Sequence, residues 1–273
     1  NPGQFFACCG LLELADRLWP GAEGWFEKGM FYIKCPGTLK QLLDAFLNAE
    51  VKSTLSDEEL KRLGTLLSAK KADLSPEAIE EKENLHERWK KYERLYLAKP
   101  FDLWVDWWRD EKGERTELKT WAAKQFVLEI LRPLIQALRG IIMEEVLDDI
   151  LQCPANVDGL PFYFDSEAYS QNTDIDIGFS PYKLRHIIST RDIIKPALEV
   201  FAFFGLQRFR PRSIPGKEVF RYTLWPIPLP PVIAAAVVCK AITLPDTRSY
   251  EFRPLKRTKY MKAFRSAILY QGD

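Results

Sequence analysis

Residues 205–231 read GLQRFRPRSIPGKEVFRYTLWPIPLPP and set arginines at 208, 210 and 212. Taken as extended chain, a period of two puts those three guanidinium groups on one face and Gln207, Phe209 and Pro211 on the other. Working outward, the residues before it (about 193–204) are apolar nearly without break and predict a helix. VFRYTLW after it predicts a short strand. A helix feeding a basic strand makes the C-terminal part mixed, and from Pro154 onward FYFD, DIDIGF and YEFRP add strand candidates separated by Pro and Gly.

The N-terminal part is of another character. PGQFFACCGLLELADRLWPG predicts a helix with Phe5, Cys9, Leu12 and Ala15 on one stripe, stopped by Pro20 and Gly21. WFEKGMFYI predicts a tight hairpin around Glu27, Lys28 and Gly29. Helices are expected at about 38–49 and 56–69, the second opened by Ser56 with Glu59 at capping-box spacing. Residues 75–100 begin with Ser75 and Pro76 and run from acid to base along a third helix, with Glu87 and Lys91 as an i,i+4 pair. Its apolar positions are sparse, so residues 75–97 are expected to project toward a partner and to be dispensable for folding. FDLWVDWW predicts a strand buried on both sides, and residues 117–152 a long helical region bent or broken at Pro133 and Gly140. The fold class is therefore α+β: a largely helical half at 1–153, expected to contact protein, and a mixed strand/helix half at 154–273.

Charge follows the same division. The chain of 273 residues has a formal charge of +1, yet between 205 and 265 thirteen Lys/Arg face three Asp/Glu, a local +10 that leaves −9 on the rest. Such segregation gives a polyanion one preferred seat. RPLKRTKYMKAFRSAI (253–268) extends the basic stretch and reads as an amphipathic helix, with Tyr260, Met261, Phe264 and Ile268 inward and Lys259, Lys262 and Arg265 outward. Arginine forks hold phosphate oxygens bidentately. The candidate nucleic-acid-binding residues are thus Gln207, Arg208, Arg210, Arg212, Lys217, Arg253, Lys256, Arg257, Lys259, Lys262 and Arg265, with Gln207 placed to touch a base edge. Pairing of Arg208 and Arg210 with carboxylates of the acidic half is the competing use.

Other chemistries find less support. The apolar run 232–239 is far shorter than the roughly 20 residues of a membrane span. Cys8, Cys9, Cys35, Cys153 and Cys239 contain no CxxC pair, which suits reduced thiols and a cytoplasmic location. Asn1 is not an initiator methionine, and residues ahead of it are expected. With His86 and His186 the only histidines, no metal site is expected, and neither GxGxxG nor GxxxxGK[ST] occurs, so no cofactor is expected either. Asp102, Glu117 and Lys119 match a loose PD-(D/E)xK nuclease pattern, two carboxylates for a divalent ion and a lysine for the attacking water. A cross-strand ion pair explains Glu117 and Lys119 as well. Asp174 and Asp176 share a strand face without a third ligand. Trp89, Trp104 and Trp108 are the candidate protein-interface anchors, core packing being the expected use of at least two of the tryptophans at 104, 107, 108 and 121.

Four long strings carry a family resemblance: NPGQFFACCGLLELADRLWPGAEGWF (1–26), FDLWVDWW with LKTWAAKQ (101–108 and 118–125), PFYFDSEAYSQNTDIDIGFSPYKL (161–184), and ALEVFAFFGLQRFRPR (197–212) followed by a Tyr, Trp and Pro-Leu-Pro tract. In order and content they resemble the large subunit of type I-G (formerly I-U) CRISPR effector complexes. The resemblance implies a non-catalytic Cascade component that sits with backbone subunits on a guide RNA. It also implies engagement of target duplex DNA and the displaced strand, and docking of a helicase-nuclease. No catalytic positions come with it. A metal-dependent nuclease and a backbone or scaffold subunit contacting mainly guide RNA or protein are the alternatives.

Overall fold

The computed structural model describes residues 1–109, 116–122, 125–143, 149–166, 193–256 and 262–271. Helix α1 (Pro2–Leu18) opens with the Asn1 side chain accepting from the Gln4 amide at 3.4 Å and with Pro2 in the first turn. Strands β1 (Glu23–Glu27) and β2 (Met30–Lys34) form the expected hairpin, with Glu27 opposite Met30 across Lys28 and Gly29. Helices α2 (Leu39–Asn48) and α3 (Asp57–Ser68) each begin with a reciprocal capping box, Thr38 with Gln41 and Ser56 with Glu59. Strand β3 (Val51–Ser53) lies between them. After α4 (Pro76–Tyr92), β4 (Leu95–Leu97) becomes the middle strand of an antiparallel sheet with β3 and β5 (Leu103–Val105). Helix α5 (Val127–Met143) follows, then the short pair β6 (Ala155–Asn156) and β7 (Ile193–Ile194), then helix α6 (Pro196–Arg208).

The remaining elements are β8 (Arg212–Ser213), β9 (Phe220–Leu224), α7 (Pro231–Val238), β10 (Arg248–Phe252), β11 (Pro254–Lys256), β12 (Lys262–Phe264) and β13 (Ile268–Leu269). An antiparallel four-stranded sheet runs in the order β13-β10-β9-β8. The fold is α+β, with helices concentrated before residue 154 and strands after it.

What joins the two halves is the meeting of α1 with α6. Both helices are apolar on nearly every side, the pattern of a helix with no solvent face, and both are buried along most of their length. Their backbones touch. A Cβ placed on Gly10 would lie 2.0 Å from the Phe201 carbonyl oxygen, and one on Gly205 would lie 2.0 Å from that of Phe6. Around this crossing a single apolar core runs from Phe5 to Phe264. The sheet covers one side, with Tyr222 stacked on Phe5 at 4.2 Å and Phe252 edge-on to Phe6 at 6.0 Å. On another side Trp107, Trp108, Trp121, Phe162 and Phe203 pack ring to ring at 4.8–5.9 Å, except the 6.2 Å Trp107–Trp108 and 6.4 Å Trp121–Phe203 pairs.

Several expectations are corrected. Helix α6 runs to Arg208, so Gln207 and Arg208 are helical and the period-two ladder does not exist. The stretch 253–268 holds the hairpin strands β11 and β12 where a helix was expected. Ala263 and Phe264 are both buried, whereas Ile268 is exposed on β13. A strand end that drops into the core buries consecutive residues, which a helical stripe does not require. Helix α5 continues through Pro133 and Gly140 without interruption. FYFD carries no ladder. Residues 75–97 are not dispensable either, because they include β4, with Leu95 and Leu97 fully buried, and the buried Leu85 and Trp89 of α4. DIDIGF with Asp174 and Asp176, and His186, lie outside the described residues.

Candidate nucleic-acid interface

The eleven candidate residues separate by what their side chains touch. Three are held by the protein. Arg208 reaches from the last turn of α6 to Glu13 on α1, donating from Nε to Oε2 and from Nη2 to Oε1, the latter at 3.2 Å. Gln207 accepts the Asp106 and Trp107 amides, each at 3.0 Å, and returns a bond to the Asp106 carboxylate at 3.3 Å. It fixes the turn after β5 and is not available to a base edge. Lys262 donates from Nζ to the Glu117 carbonyl at 3.1 Å, while its amide bonds the Thr120 carbonyl at 2.8 Å. Arg257 and Lys259 lie outside the described residues, and Lys256 closes β11 beside them.

The others gather at the sheet. Arg210, Arg212, Lys217 and Arg253 are exposed, and their side chains meet no carboxylate among the described residues. Register places Arg212, Lys217 and Arg253 by the Phe220–Phe252 end of the sheet, and leaves Arg210, two residues ahead of Arg212, away from it. Arg212 on β8 is opposite Arg221 on β9, Arg221 is opposite Glu251 on β10, and Glu251 is opposite Ile268 on β13. Within this row Arg221 is neutralised, with Nε at 3.0 Å from Glu251 Oε1 and the guanidinium 3.3 Å from the centre of the Tyr270 ring. One step beyond the Phe220–Phe252 pair, Val219 and Arg253 line a cleft of about 410 Å³ with Glu251, Arg265 and Ser266. The Arg265 amide bonds the Arg253 carbonyl at 3.0 Å, one step beyond the Pro254–Phe264 pair, so the two arginines sit across from each other on neighbouring segments. Lys217 sits in the β8–β9 turn, its amide bonded to the Ile214 carbonyl at 3.1 Å. A sheet end with three cations, Arg212, Lys217 and Arg253, that meet no acid among the described residues, and Arg265 at its cleft, suits the backbone of a nucleic acid, where charge and bidentate geometry count more than base identity.

The interface tryptophans fare differently from one another. Trp89 and Trp108 are core residues at 4% and 3% exposure, as are Trp107 and Trp121. Trp108 fills the aromatic cluster, and the Trp89 carbonyl accepts from Arg109 at 2.5 Å. Trp104 is half exposed on β5 beside Tyr96, at 4.8 Å. Asp102 accepts from the Tyr96 hydroxyl at 2.6 Å, and Lys119 Nζ bonds the Trp121 and Ala122 carbonyls at 2.9 and 3.3 Å. Among the described residues no three His, Cys, Asp or Glu side chains converge as a metal site requires. Among them, too, no helix is long and apolar enough to cross a membrane. Burial pushes the Cys8 thiol up to about 12, which removes its thiolate at neutral pH.

Two buried carboxyls carry no mark in the sequence pattern. Glu199 on α6 accepts the Phe164 and Asp165 amides at 3.1 Å, and burial, against those hydrogen bonds, pushes its carboxyl up to about 8. Burial likewise lifts Glu93 to about 7, opposed by Arg109. A carboxyl raised above its ordinary 4.5 keeps in the folded state a proton that the unfolded chain releases. Its contribution to stability is therefore full below pH 4.5 and is lost as pH rises toward 8. Glu199→Gln, neutral throughout, is expected to show a shallower fall in melting temperature over that window than the unaltered chain; parallel curves would contradict this.

No family model, no curated protein and no solved structure matches the chain.

Proposed function

We propose that the chain is a non-catalytic, nucleic-acid-binding subunit of a type I-G CRISPR effector, in the position of its large subunit. The observation that carries this reading is the division of the basic residues. Arg208 is paired with Glu13, while Arg212, Lys217 and Arg253 stay exposed at one end of one sheet, unopposed among the described residues, and Arg210 is exposed in the chain that leads into it. A surface that served only stability would close such charges on the acids that are abundant elsewhere in the chain. The four strings that resemble that family supply the rest of the proposal. In an R-loop complex base pairing reads sequence, and the protein supplies positive grooves for phosphate backbone and displaced strand. The proposed partners are backbone subunits, guide RNA, target duplex and a helicase-nuclease, with Trp104 as the exposed aromatic anchor on the protein-facing side.

The reading is tested by recovering the tagged full chain from its native host and identifying everything bound to it. A defined RNA together with several protein subunits is expected. Recovery of the chain alone, free of RNA, would contradict it.

A further inference from the structure

Behind the four-stranded sheet lies a second hollow, a cavity of about 560 Å³ between α1, the β1–β2 hairpin, strands β9 and β10 and residues 149–151. Its volume is that of a small-molecule site. The walls are aromatic and co-aligned. Phe26, Phe5, Tyr222 and Tyr250 follow one another with interplanar angles of 22°, 26° and 18° and centroid spacings of 5.4, 4.2 and 5.8 Å. Polar groups are few, and the Asn1 side chain among them is held by Asp165 and the Gln4 amide. Tyr222 is only 3% exposed, yet its hydroxyl makes no hydrogen bond to a described residue, and neither does the Gln4 side chain. The Tyr222 hydroxyl keeps contact with solvent, so it opens onto the hollow, where a ligand's polar atom can reach it. Asp149 stands at the mouth, and no cationic side chain lines the cavity.

From this we infer that the cavity receives one unstacked nucleobase, its plane against the aromatic stack and its amino edge on the Asp149 carboxylate. The assignment rests on the nucleic-acid reading above. Flat, neutral rings stack on aromatic side chains whatever their sequence, and a carboxylate selects ring edges that donate hydrogen bonds. Guanine, with two adjacent donors on its Watson–Crick edge, fits best; uracil, with one ring N–H between two carbonyls, fits worst. Phosphate is repelled from the interior by Asp149. It has a seat close by, because the segment 265–268 is a shared wall: Ala267 faces the cavity, while Arg265, Ser266 and Ile268 face the basic cleft.

The test uses the full chain and the four free nucleosides, with binding read by saturation-transfer NMR. Guanosine is expected to bind most tightly and uridine least. Asp149 has a left-handed backbone, φ 55°, which asparagine tolerates, so Asp149→Asn keeps the turn and removes the charge. It is expected to weaken guanosine binding about tenfold, within the range of one good pairing to a base edge, and to leave uridine unchanged. Tyr222→Phe should weaken all four, since the stack remains and one polar partner is removed. Equal binding of the four nucleosides, indifference to Asp149→Asn, or no binding at all would overturn the assignment. Nucleosides carry no phosphate, so such a failure leaves the basic cleft untouched; the cleft stands or falls on oligonucleotides.

Discussion

Gly205→Ala is expected to cost about 3 kcal/mol or more and to lower the melting temperature by about 6–12 °C. Overpacking a core costs about 1–3 kcal/mol when side chains can yield. Here the new methyl meets main chain, 2.0 Å from the Phe6 carbonyl oxygen and 2.8 Å from the Gly10 nitrogen. Two helices that hold the whole core must part to admit it. For a chain of this size each kcal/mol corresponds to about 2–4 °C. Gly140→Ala is the control, for the same chemical change should act in the opposite sense. Gly140 lies in the interior of α5 with open space around a Cβ, so alanine should add about 0.5–1 kcal/mol through helix propensity. A Gly205→Ala variant as stable as the unaltered chain would show that α1 and α6 do not meet as described.

The second large effect concerns Glu13, whose side chain is 2% exposed and held from two sides. Arg17 donates to it at 2.7 Å from one turn along α1, and Arg208 donates from α6. Arg208→Ala removes one charge-assisted hydrogen-bonded pair and should cost about 2 kcal/mol, discounted from the top of that range because Arg208 is a third exposed. Glu13 then still has Arg17, which also ties to the Phe101 and Asp102 carbonyls at 2.9 and 2.8 Å. Removing both arginines leaves a buried carboxylate without a counter-charge. The double variant should be destabilised by about 5 kcal/mol, more than the sum of the two single costs, because in each single variant the remaining arginine still covers Glu13. Additive costs in thermal melting would mean that the two pairs act independently.

Much of the local structure was legible because it is decided by local chemistry. The helix stop at Pro20 and Gly21, the hairpin at residues 23–34, and the capping box of Ser56 and Glu59 each depend on residues a few positions apart. The length of α6 does not. It runs on through Gln207 and Arg208 because the Asp106–Trp107 turn and Glu13, far away in sequence, use those two side chains, and because Phe209 is fully buried behind them. A single acid in the apolar run of α1, Glu13 in GLLELA, was the signal that a cation must approach from elsewhere. The stretch 253–268 misled for another reason: its apolar spacing fits a helix, while its strands are fixed by pairing with each other and with β10. Of the candidate site, the exposed cations could be named from sequence but not their grouping, which follows from strand register. The cavity was not legible at all, since its walls come from seven separated segments whose residues look like ordinary core.

The measurement that bears most directly on the central idea is the salt dependence of duplex DNA binding by three forms of the chain. Plotted as log affinity against log salt, the Arg210→Ala, Arg212→Ala, Lys217→Ala, Arg253→Ala quadruple variant should be flatter than the unaltered chain by up to about 0.9 for each phosphate that it no longer neutralises. Arg208→Ala, though less stable, should run parallel to the unaltered chain at temperatures where both are folded. A quadruple variant with an unchanged slope, or an Arg208→Ala variant that flattens the slope as much, would contradict the division of the arginines into those that hold the fold and those that meet phosphate.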